Sequence, residues 1–202
     1  MAITVIDLRQ PQAPRRADYR GAERFYPASV IKLFFLAYTH HLLADGRLAD
    51  SPELRRGLRD MIVESFNEAT SYIVDAITHT TSGPEMPAAE LAAWSQQRGV
   101  VTQYFQALGY TNVNDQRKTW GEGPYGREKQ DMAVHGPARN FLSTNDTAQL
   151  LQEIALGRWI SPACSSEMLA LMERDLTKAP TPGVDEEGLS FTAPALAPGM
   201  KL

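Results

Sequence analysis

Cysteine is almost absent from this sequence, which has only Cys164 among its 202 residues. A single cysteine cannot form a disulfide within the chain, so cysteine usage indicates no redox compartment. Basic residues are not in excess, because the net charge is -4, and we therefore expect no nucleic-acid partner. A Gly-rich phosphate-binding loop is also missing. These absences argue against disulfide-rich, nucleic-acid-binding and nucleotide-binding proteins.

Long hydrophobic runs are missing as well. The longest one is interrupted by Lys32 and by His40 and His41, so we expect no membrane span. No basic or apolar signal segment follows Met1, which favours a cytoplasmic protein as written, or a periplasmic or secreted one if a leader was removed. His79 and His135 have no partner at ligand spacing, so we expect no metal and no cofactor.

The composition that remains is that of a globular protein, with 43% hydrophobic and 22% charged residues. Residues 2–8 and 18–26 predict two antiparallel strands, and capped helical patterns follow. Residues 115–140 have no usable periodicity and are rich in glycine, proline and charge, which predicts a long loop. Two strands alone are marginally stable in water, so the hairpin needs more sheet beside it.

The strongest chemical signal is Ser29 followed by Lys32 at the start of an apolar helix. Residues three apart lie on one helix face, so the hydroxyl and the amine can meet. Burial and the positive end of the helix dipole both favour an uncharged lysine, which can take the serine proton. The alternative is a serine that caps the helix and a lysine whose amine reaches solvent.

A second polar pair, Ser65 and Asn67, lies in a predicted connector between two helices. Such a connector can direct both side chains into a cleft, where Ser65 passes a proton and Asn67 orients Lys32 or a substrate amide. The alternative is capping of the next helix. Ser143 and Asn145 have the same S-x-N spacing, and we interpret them as a helix cap only.

Residues 28–32 and 58–70 together resemble the class A β-lactamase and penicillin-binding-protein superfamily. Its signature consists of S-x-x-K, S-D-N and K-[ST]-G. Here Phe66 replaces the usual aspartate of the second element. The resemblance implies an α+β fold, mostly the all-helical lobe plus an N-terminal β-hairpin of an incomplete antiparallel sheet.

The same resemblance implies roles for four residues. Ser29 is the acylated nucleophile and Lys32 its base or proton relay. Ser65 passes the proton to the leaving nitrogen, and Asn67 supports Lys32 and the ligand. The oxyanion hole uses the backbone N–H of Ser29 and one N–H from a sheet edge strand.

Two departures from the family pattern limit this expectation. Class A enzymes hydrolyse the acyl-enzyme with a glutamate in an E-x-x-x-N setting, for which Glu122 is the candidate, with Glu128 as a weaker alternative. Position 126 is glycine rather than asparagine, and both glutamates are equally consistent with solvated loop carboxylates. Without a deacylation base, the acyl-enzyme should turn over slowly, as in penicillin-binding proteins.

The second departure is that no K-[ST]-G follows in the sequence. We expect residues 1–28 to form strands of the α/β lobe and residues 29–176 to form the helical lobe, including the loop at 115–140. Residues 177–202 form a connector towards the strand that carries this motif in the family. We interpret the sequence as truncated or as half of a two-chain assembly, with a complementing chain supplying the missing strands.

The sequence thus predicts a serine hydrolase of β-lactamase-like ancestry that acts on β-lactams or related amides, impaired by truncation. The alternatives are a penicillin-binding or D-alanyl-D-alanine peptidase type, and a non-catalytic remnant that binds a ligand or a partner chain. A glutaminase-type amidase shares the Ser/Lys arrangement and ranks below these. In each enzymatic case the substrate is a small β-lactam or a peptide-like amide.

Overall fold

One interior helix organises the fold. The computed structural model describes residues 1–120, 122–136 and 139–174. In it, a 3-10 turn, Ala28–Ile31, leads directly into helix α1, Lys32–Ala44. Of the 13 residues of α1, ten are buried, including Lys32. The sequence predicted this, because the segment is apolar on nearly every side.

Seven further helices follow α1 in the described residues. Serines cap three of them, as the capped helical patterns predicted: Ser51, Ser143 and Ser161 each accept a hydrogen bond from a backbone N–H in the first turn. In chain order the helices are α2 (Pro52–Ile62), α3 (Asn67–Thr78), α4 (Ala88–Arg98), α5 (Val100–Ala107), α6 (Gly126–His135), α7 (Thr144–Ala155) and α8 (Pro162–Met172).

The two predicted strands form an antiparallel hairpin, but the second begins earlier than expected. Strand β1 is Ile3–Asp7 and strand β2 is Arg15–Tyr19, with Val5 opposite Ala17. All five residues of β2 are exposed. The start and end of β2 along the sequence are therefore set by its hydrogen-bonded pairing with β1, because β2 has no buried face that could set them. The prediction of a strand over 18–26 was therefore wrong beyond Tyr19, where Phe25 makes only an isolated bridge to Leu142.

Residues 115–140 are not entirely a loop, because they contain α6. The buried positions of this helix are two carboxylates, Glu128 and Asp131, and not apolar residues. A search for hydrophobic periodicity therefore cannot detect it. Its first residue is Gly126, where a Cβ would lie 1.9 Å from the carbonyl oxygen of Gly83 and the φ angle is +50°.

The core lies between α1 and the later helices. Phe34 of α1 contacts Phe105 edge-on at 4.7 Å, and the Phe105 ring stacks on Trp159. The indole of Trp159 donates a hydrogen bond to the carbonyl oxygen of Ala37. No described helix has the length and apolar character needed to cross a membrane. The predicted connector at 177–202 lies outside the described residues, and the domain boundaries at 28 and 176 stay predictions.

Candidate active site

The start of α1 places the first two candidate residues. Ser29 is exposed in the 3-10 turn, whereas Lys32 is 2% exposed. Ala28 just before them has a φ angle of +45°, a conformation that is unfavourable for a residue with a Cβ. The turn therefore holds the serine at the surface while the lysine enters the core.

Ser65 joins these two residues in a chain of hydrogen bonds. The amine of Lys32 donates to the Ser65 hydroxyl over 3.0 Å, and that hydroxyl donates to the Ser29 oxygen over another 3.0 Å. Lys32 also donates to the backbone oxygen of Ser65 at 2.5 Å and to the Asn67 side-chain oxygen at 3.1 Å. All four residues taken from the two motifs thus meet at one point.

A strained connector brings Ser65 and Asn67 to Lys32. Ser65 has a φ angle of +56° in the left-handed region, Phe66 is extended, and Asn67 is the first residue of α3. The side chain of Asn67 accepts from Lys32, and no side chain caps the start of α3. The capping alternative therefore does not describe this pair. Ser143 does cap α7 as predicted, but the Asn145 side chain instead accepts from the Thr4 hydroxyl at 2.6 Å.

Ser29, Lys32 and Ser65 line a groove of about 400 Å³. Its other walls are mostly apolar and come from α1, α2, α7 and the end of α8. At that end, Arg174 donates to the backbone oxygen of Ile62 at 2.6 Å. The groove wall has one carboxylate among the described residues, Glu64, which pairs with Arg59.

A second cavity, of about 290 Å³, lies against the residue that precedes the nucleophile. We call it the loop cavity, because most of its wall comes from the segment between α5 and α7. It is lined by Tyr26, Ala28, Arg117, Lys118, Thr119, Trp120, Pro124, Met132, Arg139 and Asn140.

Buried polar contacts hold the wall of the loop cavity in place. Arg117 pairs with Asp131, and both side chains are almost fully buried. The Asn140 side chain accepts from the Arg117 backbone N–H at 2.8 Å and donates to its carbonyl oxygen at 2.7 Å. These contacts tie the two ends of the segment together.

A second, partly buried ion pair holds the same segment to α3. The amine of Lys118 lies 2.6 Å from Asp75 and 2.8 Å from the Ser82 hydroxyl. Burial lowers the pKa of Lys118, and the neighbouring Asp75 opposes that change.

The two glutamates considered for deacylation have different surroundings. Glu122 is exposed and belongs to neither the groove wall nor the wall of the loop cavity. Glu128 is 1% exposed, accepts from Arg98 and Ser82 at 2.9 Å, and is therefore not a solvated loop carboxylate. The proposal of Glu122 as a deacylation base stays a prediction.

Sequence reasoning missed the residues that shape the loop cavity, namely Arg117, Lys118, Arg139 and Asn140. The only available signal was the presence of charged residues beside Trp120 in a segment without periodicity. Arg117 pairs with Asp131 and Lys118 pairs with Asp75. In both pairs the partner belongs to another part of the sequence, so the pairs become visible only in the folded chain.

Two solved structures are similar to this chain. The β-lactamase from Sphaerobacter thermophilus DSM 20745 has a TM-score of 0.58 and 18% identity, and the match covers 84% of this chain and 61% of that one. A β-lactamase from Chitinophaga pinensis DSM 2588 has a TM-score of 0.57 and 16% identity, covering 85% and 63%. The chain thus spans less than two thirds of the length of either structure. A comparison with curated proteins finds no match.

The sequence itself also matches a family. The model of the group described as "Beta-lactamase enzyme family" covers residues 1–181, which include both strands and all the described helices. The solved neighbours share the α+β arrangement that the sequence predicted. The chain belongs to the β-lactamase enzyme family.

Proposed function

We propose that the chain is a serine hydrolase that forms an acyl-enzyme at Ser29 with β-lactams or related amides. The observation that carries this proposal is the continuous chain of hydrogen bonds from Lys32 through Ser65 to Ser29. A serine hydroxyl becomes an effective nucleophile when a neighbouring group takes its proton, and this arrangement provides the path. Membership of the β-lactamase enzyme family supports the substrate class.

In the proposed reaction the Ser29 oxygen attacks the carbonyl carbon of the amide. In the reacting form Lys32 is uncharged, so it accepts from the Ser65 hydroxyl instead of donating to it, and Ser65 in turn accepts from Ser29. The Ser29 proton then passes to the Ser65 oxygen while the Ser65 proton passes to the amine of Lys32. When the carbon–nitrogen bond breaks, the ammonium of Lys32 returns a proton through Ser65 to the leaving nitrogen. The products of this step are an ester at Ser29 and an amine, which in a β-lactam stays attached to the acyl group because the bond that breaks is part of a ring. Water then hydrolyses the ester.

Asn67 has a positioning role in this proposal. Its side-chain oxygen accepts from Lys32 at 3.1 Å and holds the amine beside Ser65. The backbone N–H of Ser29 supplies one half of the oxyanion hole. Glu122 stays the proposed base for deacylation, and we expect it to act slowly because it lies outside both cavity walls.

The surroundings of Glu122 favour a long-lived acyl-enzyme, as in a penicillin-binding or D-alanyl-D-alanine peptidase type. Glu122 is exposed and outside both cavity walls, and the loop cavity has no carboxylate among the described residues that line it. Among the described residues of the two walls, the one carboxylate that could activate a water near the ester is Glu64, and Glu64 is already paired with Arg59. We therefore expect acylation to be faster than hydrolysis of the ester.

The test is labelling with a fluorescent penicillin, followed by intact-mass measurement over time. We expect the wild-type chain to gain one penicillin mass and to keep it for hours, whereas Ser29→Ala gains none. Ser143→Ala, which removes a serine that only caps α7, is the matched control and should be labelled like the wild type. A label lost within minutes means a lactamase with an effective deacylation base. No label on the wild type, with the protein folded, favours the non-catalytic remnant and contradicts the proposal.

A further inference from the structure

The loop cavity and the groove are lined by different residues of the nucleophile segment. The groove contains Ser65, which in the proposed function serves the leaving nitrogen. The loop cavity contains Ala28 but neither Ser65 nor Lys32. A substrate whose leaving group lies at Ser65 therefore extends its acyl part towards the loop cavity.

The loop cavity has an excess of positive charge. Three cationic side chains line it and no carboxylate does, among the described residues. Two of the three cations are neutralised, since Arg117 pairs with Asp131 and Lys118 pairs with Asp75. The third cation, Arg139, has no ion-pair partner in the parts of the chain that the structure describes.

Arg139 is also held in a defined place. Its guanidinium lies over the Tyr26 ring, 5.4 Å from the ring centroid, and Tyr26 lines the same cavity. Its backbone oxygen accepts from the Asn114 side chain at 3.2 Å, and the next residue, Asn140, is bonded to the Arg117 backbone. A guanidinium fixed against a ring keeps a planar set of donors, which matches the two oxygens of a carboxylate.

We propose that Arg139 is a specificity-determining residue that binds a carboxylate on the acyl part of the substrate. The preferred substrates are then amides, including β-lactams, whose acyl part has a carboxylate on its side chain. This proposal rests on the proposed function for the orientation of the substrate, but binding of the carboxylate itself needs no acylation.

The first experiment measures binding without chemistry. Phenylmalonate and phenylacetate differ by one carboxylate: in each acid one carboxylate stands for the carbonyl of the acyl group, and only phenylmalonate has a second one for Arg139. Saturation-transfer NMR on the full chain should show that phenylmalonate binds at least tenfold more tightly. Arg139→Gln should bring the two acids to within about twofold of each other, and Arg139→Lys should give an intermediate ratio, since a lysine keeps the charge and loses the planar fork.

The matched control is Arg24→Gln. Arg24 also lies over an aromatic ring, that of Phe141 at 4.6 Å, but it does not line the loop cavity. This variant should keep the wild-type preference for phenylmalonate. Equal binding of the two acids by the wild type, or an unchanged preference in Arg139→Gln, would overturn the proposal.

The second experiment measures acylation of Ser29 by benzylpenicillin and by carbenicillin, its α-carboxy analogue. We expect the wild type to react about tenfold faster with carbenicillin, and Arg139→Gln to show no preference. Binding of phenylmalonate that depends on Arg139, without any acylation, would refute the proposed function and leave the carboxylate site intact. Acylation at equal rates by both penicillins would refute the carboxylate site and leave the proposed function intact.

Discussion

Ser65 has a hydroxyl that links two candidate catalytic residues and a backbone conformation that is unfavourable for a residue with a Cβ, and mutation can separate the two. Its hydroxyl links Lys32 to Ser29, and its backbone has a φ angle of +56° that any side chain makes unfavourable. The backbone oxygen of Ser65 accepts from Lys32 whatever the side chain is. The proposed proton transfer therefore depends on the hydroxyl alone, whereas the strain depends on the Cβ.

We expect Ser65→Ala and Ser65→Gly to slow penicillin labelling equally, by at least about 100-fold, because both remove the hydroxyl. Ser65→Gly should be more stable than Ser65→Ala by about 1 kcal/mol, since glycine adopts the left-handed conformation without steric conflict. Labelling kinetics and urea unfolding measure the two effects. Wild-type labelling rates in both variants would exclude a proton-transfer role for Ser65.

At the scale of elements, a buried carboxylate lies where α5 meets the segment that forms the loop cavity. Asp115 is 1% exposed and accepts from the Thr102 hydroxyl at 2.6 Å, while its own backbone N–H donates to the same hydroxyl. Burial raises the pKa of Asp115 to about 7, against the lowering effect of the Thr102 hydrogen bond. The protonated form is therefore the one that the fold favours.

This raised pKa predicts a decrease in stability as the pH increases. Between pH 3.8, the ordinary aspartate pKa, and about pH 7, the folded chain holds a proton on Asp115 that the unfolded chain has lost. The contribution of Asp115 to the free energy of unfolding is therefore full below this range and is lost as the pH increases through it. Asp115→Asn should remove this loss and stabilise the chain at pH 8 by up to about 4 kcal/mol. Urea unfolding of both proteins at pH 5 and pH 8 measures it.

Thr102→Val is the companion variant for this prediction. It removes the hydroxyl that bonds Asp115 and should destabilise the chain at pH 8 more than at pH 5, because the charged carboxylate then loses its described side-chain donor. An Asp115→Asn protein whose stability changes with pH as much as that of the wild type would show that this carboxylate is not responsible.

At the scale of the whole molecule, an apolar surface extends from the active-site groove to the hairpin. A cavity of about 720 Å³ is lined by Ile3, Phe25 and Leu151 among others, and Leu151 also belongs to the groove wall. On the hairpin, Val5 and Tyr19 are 59% and 60% exposed. Contiguous exposed apolar surface of this kind is typical of an interaction site. The complementing chain expected from the sequence stays a prediction.

We expect the isolated chain to bind the hydrophobic dye ANS through this surface. Val5→Lys combined with Tyr19→Lys should reduce the fluorescence at least twofold, with a change in unfolding free energy below about 1 kcal/mol because both side chains are exposed. Val134→Lys changes an apolar residue that is 64% exposed on α6 and should leave the signal unaltered. A dye signal that is absent from the wild type, or unchanged in the double variant, contradicts the expectation.

The sequence by itself determined the interior helix, the serine caps, and the four residues that meet at Lys32. These are local patterns: an apolar run in which a lysine stands out, and hydroxyl or amide residues next to a helix start. Tertiary structure alone decided the register of β2, which has no buried face, and the existence of α6, whose buried residues are Glu128 and Asp131. From the sequence alone a carboxylate is expected to be exposed, because burying a charge without a partner is unfavourable. The partners of Glu128 and Asp131 are Arg98 and Arg117, which come from other parts of the chain, so only the folded structure shows that these two carboxylates are buried.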